Sequence, residues 1–182
     1  MIVVMGIGRC GTTVMAQLLM ALGFDSHGHL EIFRELPHEV LRAEGYEWPE
    51  LVKGTGTLVV GLNRWIESGK WDVEVIILCT RELESAARSM SHWKRNSGTY
   101  KGLSREDYVA RIHEEVSLGH VQAREQIAQS GKRCVEITFP RSILDKEYCY
   151  AAVCEAVGHI KRRQFNAAWK KVVKPSQSRF GG

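Results

Sequence analysis

The sequence is poor in proline and in long apolar runs. It holds 4 prolines and 17 glycines in 182 residues, of which 44% are hydrophobic. This composition excludes collagen-like, low-complexity and disordered chains. The apolar run Met1 to Met5 has no basic segment before it and is too short for a signal peptide or a membrane span. We therefore expect a folded cytoplasmic protein that has no membrane span.

Cysteine is also sparse, and its 5 copies are scattered along the chain. An odd number of cysteines, with no CxxC pair and no histidines at zinc-binding spacing, argues against a disulfide framework and against a structural metal. We expect reduced thiols, four of which fill the core, and no bound metal ion.

Neither sign of charge dominates. The 25 lysines and arginines and the 21 aspartates and glutamates give a net charge of +4, which suits an anionic small molecule as well as it suits nucleic acid. Basic residues cluster on a late amphipathic helix, where they are interpreted as a solvated face. They are Lys161, Arg162, Arg163, Lys170, Lys171 and Lys174. We expect no nucleic-acid partner.

Short β-rich segments alternate with segments of helical periodicity. The run Ile2 to Met5 has no polar residue, which is typical of a strand buried on both faces of a parallel sheet. Further strands are predicted at Thr57–Leu62, Val73–Cys79 and Cys134–Thr138, and helices at 14–22, 82–96, 104–131 and 148–157, with 31–43 as an irregular helix. This alternation predicts an α/β fold with three layers, α/β/α, and a mostly parallel central sheet.

The chain length fits one domain and is too short for two. We expect a single domain over residues 1–182. The polar stretch 174–182 is predicted to be a flexible tail or to fold over a site.

The most informative segment is the glycine loop between the first strand and the first helix, which reads Gly6, Ile7, Gly8, Arg9, Cys10, Gly11, Thr12, Thr13. Glycines let backbone N–H groups converge, and the positive end of the helix dipole adds to them. The loop is therefore predicted to bind a phosphate or sulfate group.

Three other interpretations of this loop remain open: a plain turn, a GxGxxG dinucleotide fingerprint and a Walker A loop. The fingerprint lacks a second strand that ends in an acidic residue about 20 positions later. The Walker A interpretation lacks its lysine, because Thr12 stands at that position.

Arg9 to Thr13 resembles the RSGTT loop of sulfotransferases that use 3′-phosphoadenosine 5′-phosphosulfate (PAPS), with Cys10 in place of serine. A second motif follows the third predicted strand, where Arg81 and Ser89 have the spacing of the family's strand-end arginine and helix serine. The segment Gly28 to Glu31 resembles the Gly-x-x-Glu of bacterial and phage-type members. With the late strand, turn and helix, the resemblance covers roughly residues 1–160.

The resemblance implies a P-loop-like fold and transfer of a sulfuryl group from PAPS to a hydroxyl or amine of a small-molecule, carbohydrate or lipid acceptor, without a metal. It implies a general base at Glu31, with His29 as second choice, and a catalytic role for Arg9. The donor would bind to Gly8, Arg9, Cys10, Gly11, Thr12 and Thr13 through its phosphosulfate, and to Arg81 and Ser89 through its 3′-phosphate.

Two departures from the family pattern leave alternatives open. Cys10 removes a hydroxyl donor, and the family's lysine after the second strand is either Lys53 or absent, with Arg64 nearby. Lys174 and Arg179 are further candidates for the 3′-phosphate. A nucleotide- or phosphate-binding module without catalysis, and a P-loop kinase with an unusual loop, are the alternative functions.

Overall fold

The computed structural model describes residues 1–7, 9–25, 51–54, 66–67, 72–97 and 104–173. Four strands lie in these ranges: β1 (Ile2–Met5), β2 (Leu51–Gly54), β3 (Val75–Arg81) and β4 (Arg133–Phe139). The helices are α1 (Thr12–Ala21), α2 (Leu83–Ser97), α3 (Arg105–Ser130), α4 (Arg141–Leu144), α5 (Lys146–Val157) and α6 (Arg162–Val172).

The four strands form one parallel sheet in the order β2-β1-β3-β4. Met5 pairs with Gly54 on one side and with Leu78 on the other, and Arg81 pairs with Phe139. Every residue of β1 and β3 is buried, because both strands are covered on their two faces. The predicted α/β class and the parallel sheet are confirmed.

Helices cover both faces of the sheet. Since side chains alternate along a strand, Val4 and Ile77 pack with α1, α5 and α6, while Val3 and Ile76 pack with α2 and α3. The arrangement therefore has the three layers that the alternation of strands and helices predicts. None of the helices that the structure describes is long and apolar enough to cross a membrane.

The helix boundaries follow local signals in the sequence. Ser104 caps α3 by accepting a hydrogen bond from the backbone N–H of Asp107 at 3.1 Å, as expected of a serine three residues before an acidic residue at a helix start. Gly23, Gly131 and Gly158 follow the ends of α1, α3 and α5 with positive φ angles. Left-handed backbone costs glycine little, so the three predicted helix ends are confirmed.

The structure also contains a strand that the sequence did not predict, β2 at Leu51–Gly54. Lys53 and Gly54 have low strand preference, and the parallel pairing with β1 makes this short segment a strand. The predicted strand at 57–62, the irregular helix at 31–43 and the tail 174–182 lie outside the described residues.

All five cysteines are free thiols, as expected. Cys10, Cys79 and Cys149 are buried, and the half-buried Cys154 packs against the same core. Cys134 is exposed on β4. Four cysteines therefore belong to the core or its border.

Candidate functional site

The strand order changes direction at β1. From β1 the chain first adds β2 on one side, and β3 is then placed on the other side of β1. In open α/β sheets, ligands bind at such a switch point, in the crevice outside the carboxyl ends of the strands. The glycine loop leaves β1 at this crevice, and Arg81 is the last residue of β3.

The glycine loop has the backbone of an anion-binding nest. Arg9 has a φ of 57° and Gly11 a φ of 87°, both left-handed, with Cys10 between them at negative φ. Alternation of this kind turns successive N–H groups toward one side. A Cβ at residue 11 would lie 2.6 Å from Cδ2 of Phe139, so glycine is required there both by φ and by space. Gly8 lies outside the described residues.

The N-terminus of α1 differs from that of most other helices. Gly11 is its N-cap, and within the described part of the chain no side chain caps it and no acidic residue occupies its first turn. At the starts of α2, α3 and α5, by contrast, backbone N–H groups of the first turn donate hydrogen bonds to the side chains of Glu82, Ser104 and Asp145. The positive end of α1 is therefore available to an external anion.

Cys10 contributes to the loop as a core residue. Its side chain is 2% exposed and lies where a Cβ on Gly6 would overlap the Cys10 Sγ atom and the Cys79 carbonyl. Burial raises the pKa of the Cys10 thiol to about 12, although two backbone N–H groups and the Arg81 charge oppose the shift. The thiol is neutral and turned inward. The predicted contact of Cys10 with a ligand can therefore use only its backbone N–H.

Arg81 lies against the glycine loop. It is 7% exposed, and its Nη1 group donates a hydrogen bond to the Arg9 carbonyl at 3.4 Å. Burial lowers the pKa of Arg81, and the positive charge of Arg9 lowers it further. An arginine keeps its proton even so. Two positive charges thus meet at the carboxyl ends of β1 and β3, which favours a negatively charged ligand.

The neighbouring carboxylate, Glu82, is directed to α2. It accepts hydrogen bonds from the backbone N–H groups of Glu84 at 2.8 Å and Ser85 at 2.7 Å. These bonds, with one from the Ser85 hydroxyl as the largest effect, lower the pKa of Glu82. The Glu82 carboxylate therefore caps α2 by accepting hydrogen bonds from the backbone N–H groups of its first turn.

One side of the crevice is formed by α2 and α3. A Cβ on Gly119 would lie 2.8 Å from Cγ2 of Ile7, so α3 packs closely against the loop at this glycine. With 26 residues, α3 is about 39 Å long, whereas β4 with 7 residues spans about 23 Å. Tyr108 joins α3 to α2 by donating a hydrogen bond to the Ser91 carbonyl at 2.7 Å.

The other predicted site residues are distributed as follows. Thr12 is buried and Thr13 exposed in the first turn of α1. Ser89 is half-buried on α2, roughly 9 Å along the helix from its first residue, and its pairing with Arg81 stays a prediction. Lys53 lies on β2, paired with Val4. His29, Glu31, Arg64, Lys174 and Arg179 lie outside the described residues.

Sequence reasoning missed Phe139. Its ring contacts Gly11 and Arg81, yet the predicted fourth strand stops at Thr138. No local signal in the sequence marks Phe139, because its place beside Arg81 depends on the parallel register of β3 and β4.

No protein-family model matches the chain, and no curated protein matches it significantly in sequence. The geometry of the crevice and the sequence motifs are therefore the basis for a functional assignment.

Proposed function

We propose that this protein is a P-loop-like sulfotransferase that moves a sulfuryl group from PAPS to a hydroxyl or amine of a small-molecule, carbohydrate or lipid acceptor. The supporting observation is the position of Arg81. It ends β3, is buried, and is hydrogen-bonded to the loop that starts α1. Its place at the switch point suits a donor that carries anionic groups at two separate positions.

The two anionic ends of PAPS would meet different parts of the crevice. The phosphosulfate suits the glycine loop, where the backbone of Arg9 to Gly11 and the uncapped end of α1 provide N–H groups and positive potential. The 3′-phosphate suits Arg81, with Ser89 as the second donor predicted from sequence. Charge-assisted hydrogen bonds of this kind contribute about 1.5 to 3 kcal/mol each.

The transfer itself needs one proton acceptor. The acceptor oxygen or nitrogen forms a bond to sulfur, and the bond between sulfur and the bridging oxygen breaks. The electron pair of that bond stays with the 5′-phosphate of the product, 3′-phosphoadenosine 5′-phosphate (PAP). The proton of the acceptor passes to a general base, for which Glu31, and then His29, are the predictions.

The loop would stabilise the charge that develops on the bridging oxygen. Arg9 is exposed at the crevice, and backbone N–H groups of the nest point to one side. A sulfuryl group carries less negative charge than a γ-phosphoryl group, so the transfer has less need of a magnesium clamp. We therefore expect transfer to continue in excess EDTA.

Calorimetric titration with PAP, AMP, ATP and NAD tests this proposal. Preference for PAP over AMP is the expected result, because PAP alone carries a 3′-phosphate in addition to the 5′-phosphate. Equal binding of PAP and AMP would favour a phosphate-binding module without catalysis. Tight ATP binding with magnesium-dependent hydrolysis would favour the kinase alternative.

A further inference from the structure

Phe139 joins the two parts of the candidate donor site. It is the last residue of β4 and pairs in register with Arg81. Its ring is 8% exposed and lies under Gly11, where a Cβ would approach it to 2.6 Å. The same ring faces the Arg81 guanidinium, whose Cζ atom is 5.1 Å from the ring centroid.

The Phe139 ring is one of the groups that orient Arg81. Arginine has a long side chain with many rotamers, and fixing it costs conformational entropy. The hydrogen bond from Nη1 to the Arg9 carbonyl is long at 3.4 Å, beyond the usual 2.7–3.2 Å range, so it fixes the guanidinium weakly. An aromatic face at 5.1 Å holds a guanidinium through cation–π attraction and restricts the directions in which it can turn.

We propose that Phe139 is a positioning residue that holds Arg81 against the glycine loop and so sets the preference for a ligand with a second anionic group. This inference rests on the proposed function for the identity of the ligand. Because one ring contacts Gly11 and Arg81, it also fixes the distance between the two anion-binding parts of the crevice.

The variant Phe139→Leu tests the orientation of Arg81 separately from the packing of the side chain beneath Gly11. Leucine keeps apolar bulk beneath Gly11 but removes the aromatic face. The expected result in calorimetry is a loss of PAP affinity of about tenfold, with AMP affinity changed less than about twofold, since AMP has no 3′-phosphate. Phe139→Tyr keeps the ring and is expected to keep PAP affinity within about twofold of the unmodified protein.

Phe165→Leu is the matched control. Phe165 is also a buried phenylalanine, fully enclosed in the core with Tyr150 and Trp169 on α5 and α6. Its replacement removes a buried ring and lowers stability in the same way, but it leaves the crevice unchanged. We expect both Leu variants to unfold at lower temperature and only Phe139→Leu to lose its preference for PAP.

A second measurement does not depend on the ligand. The side-chain protons of Arg81 lie over the Phe139 ring, so their NMR signals are expected to be shifted by the ring current in the unmodified protein and in Phe139→Tyr, but not in Phe139→Leu. Unshifted Arg81 signals, or equal losses of PAP and AMP affinity in Phe139→Leu, would overturn the positioning role. Shifted Arg81 signals in a protein that does not prefer PAP would instead overturn the proposed function and leave the contact standing.

Discussion

The Nη1 group of Arg81 lies 3.4 Å from the backbone carbonyl oxygen of Arg9 and donates a hydrogen bond to it. The two residues are 72 positions apart in the chain. Their contact joins the end of β3 to the loop after β1, and the positive charge of Arg9 is close enough to lower the pKa of Arg81, after burial as the larger cause.

Arg81→Ala is expected to weaken PAP binding by roughly 10-fold to 100-fold, because charge-assisted hydrogen bonds to the 3′-phosphate are lost. AMP binding should change little. The matched control is Arg88→Ala, which removes an exposed arginine of α2 that pairs with Glu84 at 2.9 Å. Calorimetry of the three proteins decides the matter, and an equal loss for both nucleotides would contradict the 3′-phosphate assignment.

Gly11→Ala is expected to lower the free energy of unfolding by about 2 to 5 kcal/mol, from left-handed strain together with a clash against the Phe139 ring. Gly131→Ala is the control, since Gly131 has a φ of 62° with no atom within 4 Å of the added Cβ. It should cost about 1 to 2 kcal/mol, from left-handed strain alone. Urea unfolding measures both changes. Equal losses of unfolding free energy in the two variants would show that a methyl group at residue 11 does not clash with the Phe139 ring.

The thiols should differ sharply in reactivity toward an aromatic disulfide reagent at pH 8. Burial raises the pKa of Cys10 and of Cys149 to about 12, and it raises the pKa of the buried Cys79 as well. Since the thiolate is the nucleophile, these three thiols should react only after denaturation. Burial raises the pKa of Cys134 too, but this residue is exposed, so it should react slowly in the folded protein. Rapid native labelling of Cys10, detected by peptide mass spectrometry, would contradict the inward position of its sulfur.

His120 is expected to make the protein less stable in mild acid. Burial and the Arg124 charge on α3 lower the pKa of His120 from 6.5, while Glu136 on β4 opposes them. Its buried Nε2 atom finds no hydrogen-bond partner in the described part of the chain. The unfolded state therefore binds a proton more readily than the folded state. The free energy of unfolding has its full value above pH 6.5 and decreases as the pH drops below 6.5.

Urea unfolding between pH 5 and 8 tests the role of His120. His120→Gln should reduce the loss of stability in the acid range. The matched control is His113→Gln, which replaces an exposed histidine on the same helix. Identical pH profiles for the unmodified protein and His120→Gln would exclude His120 as the source.

Glu31→Gln separates catalysis from binding. Glutamine keeps size and polarity but cannot accept the proton of the acceptor, so turnover should fall by about 10² to 10⁴. PAP affinity should be preserved, because the donor contacts are expected from the loop and from Arg81. Normal turnover would transfer the role of base to His29, and a loss of PAP binding would indicate a structural role for Glu31.

Local signals in the sequence were sufficient for most of the described elements. The apolar runs of β1 and β3, the Ser104 cap and the terminal glycines each depend on interactions within a few residues, so they are readable without the fold. The segment Leu51–Gly54 was not predicted as a strand. Lys53 and Gly54 have low strand preference, and the pairing with β1 makes these four residues a strand.

The candidate site divides in the same way. The sequence by itself determined a glycine loop before a helix and an arginine at the end of a strand, because strand, loop and helix are consecutive in the chain. Only the tertiary structure decided that Cys10 turns inward, that Arg81 reaches the Arg9 carbonyl, and that Phe139 contacts Gly11 and Arg81 from β4. These contacts join residues from three parallel strands, and parallel strands are joined by long crossover connections. Their distances depend on strand order and register, which pairing in the folded sheet establishes and no local sequence signal encodes.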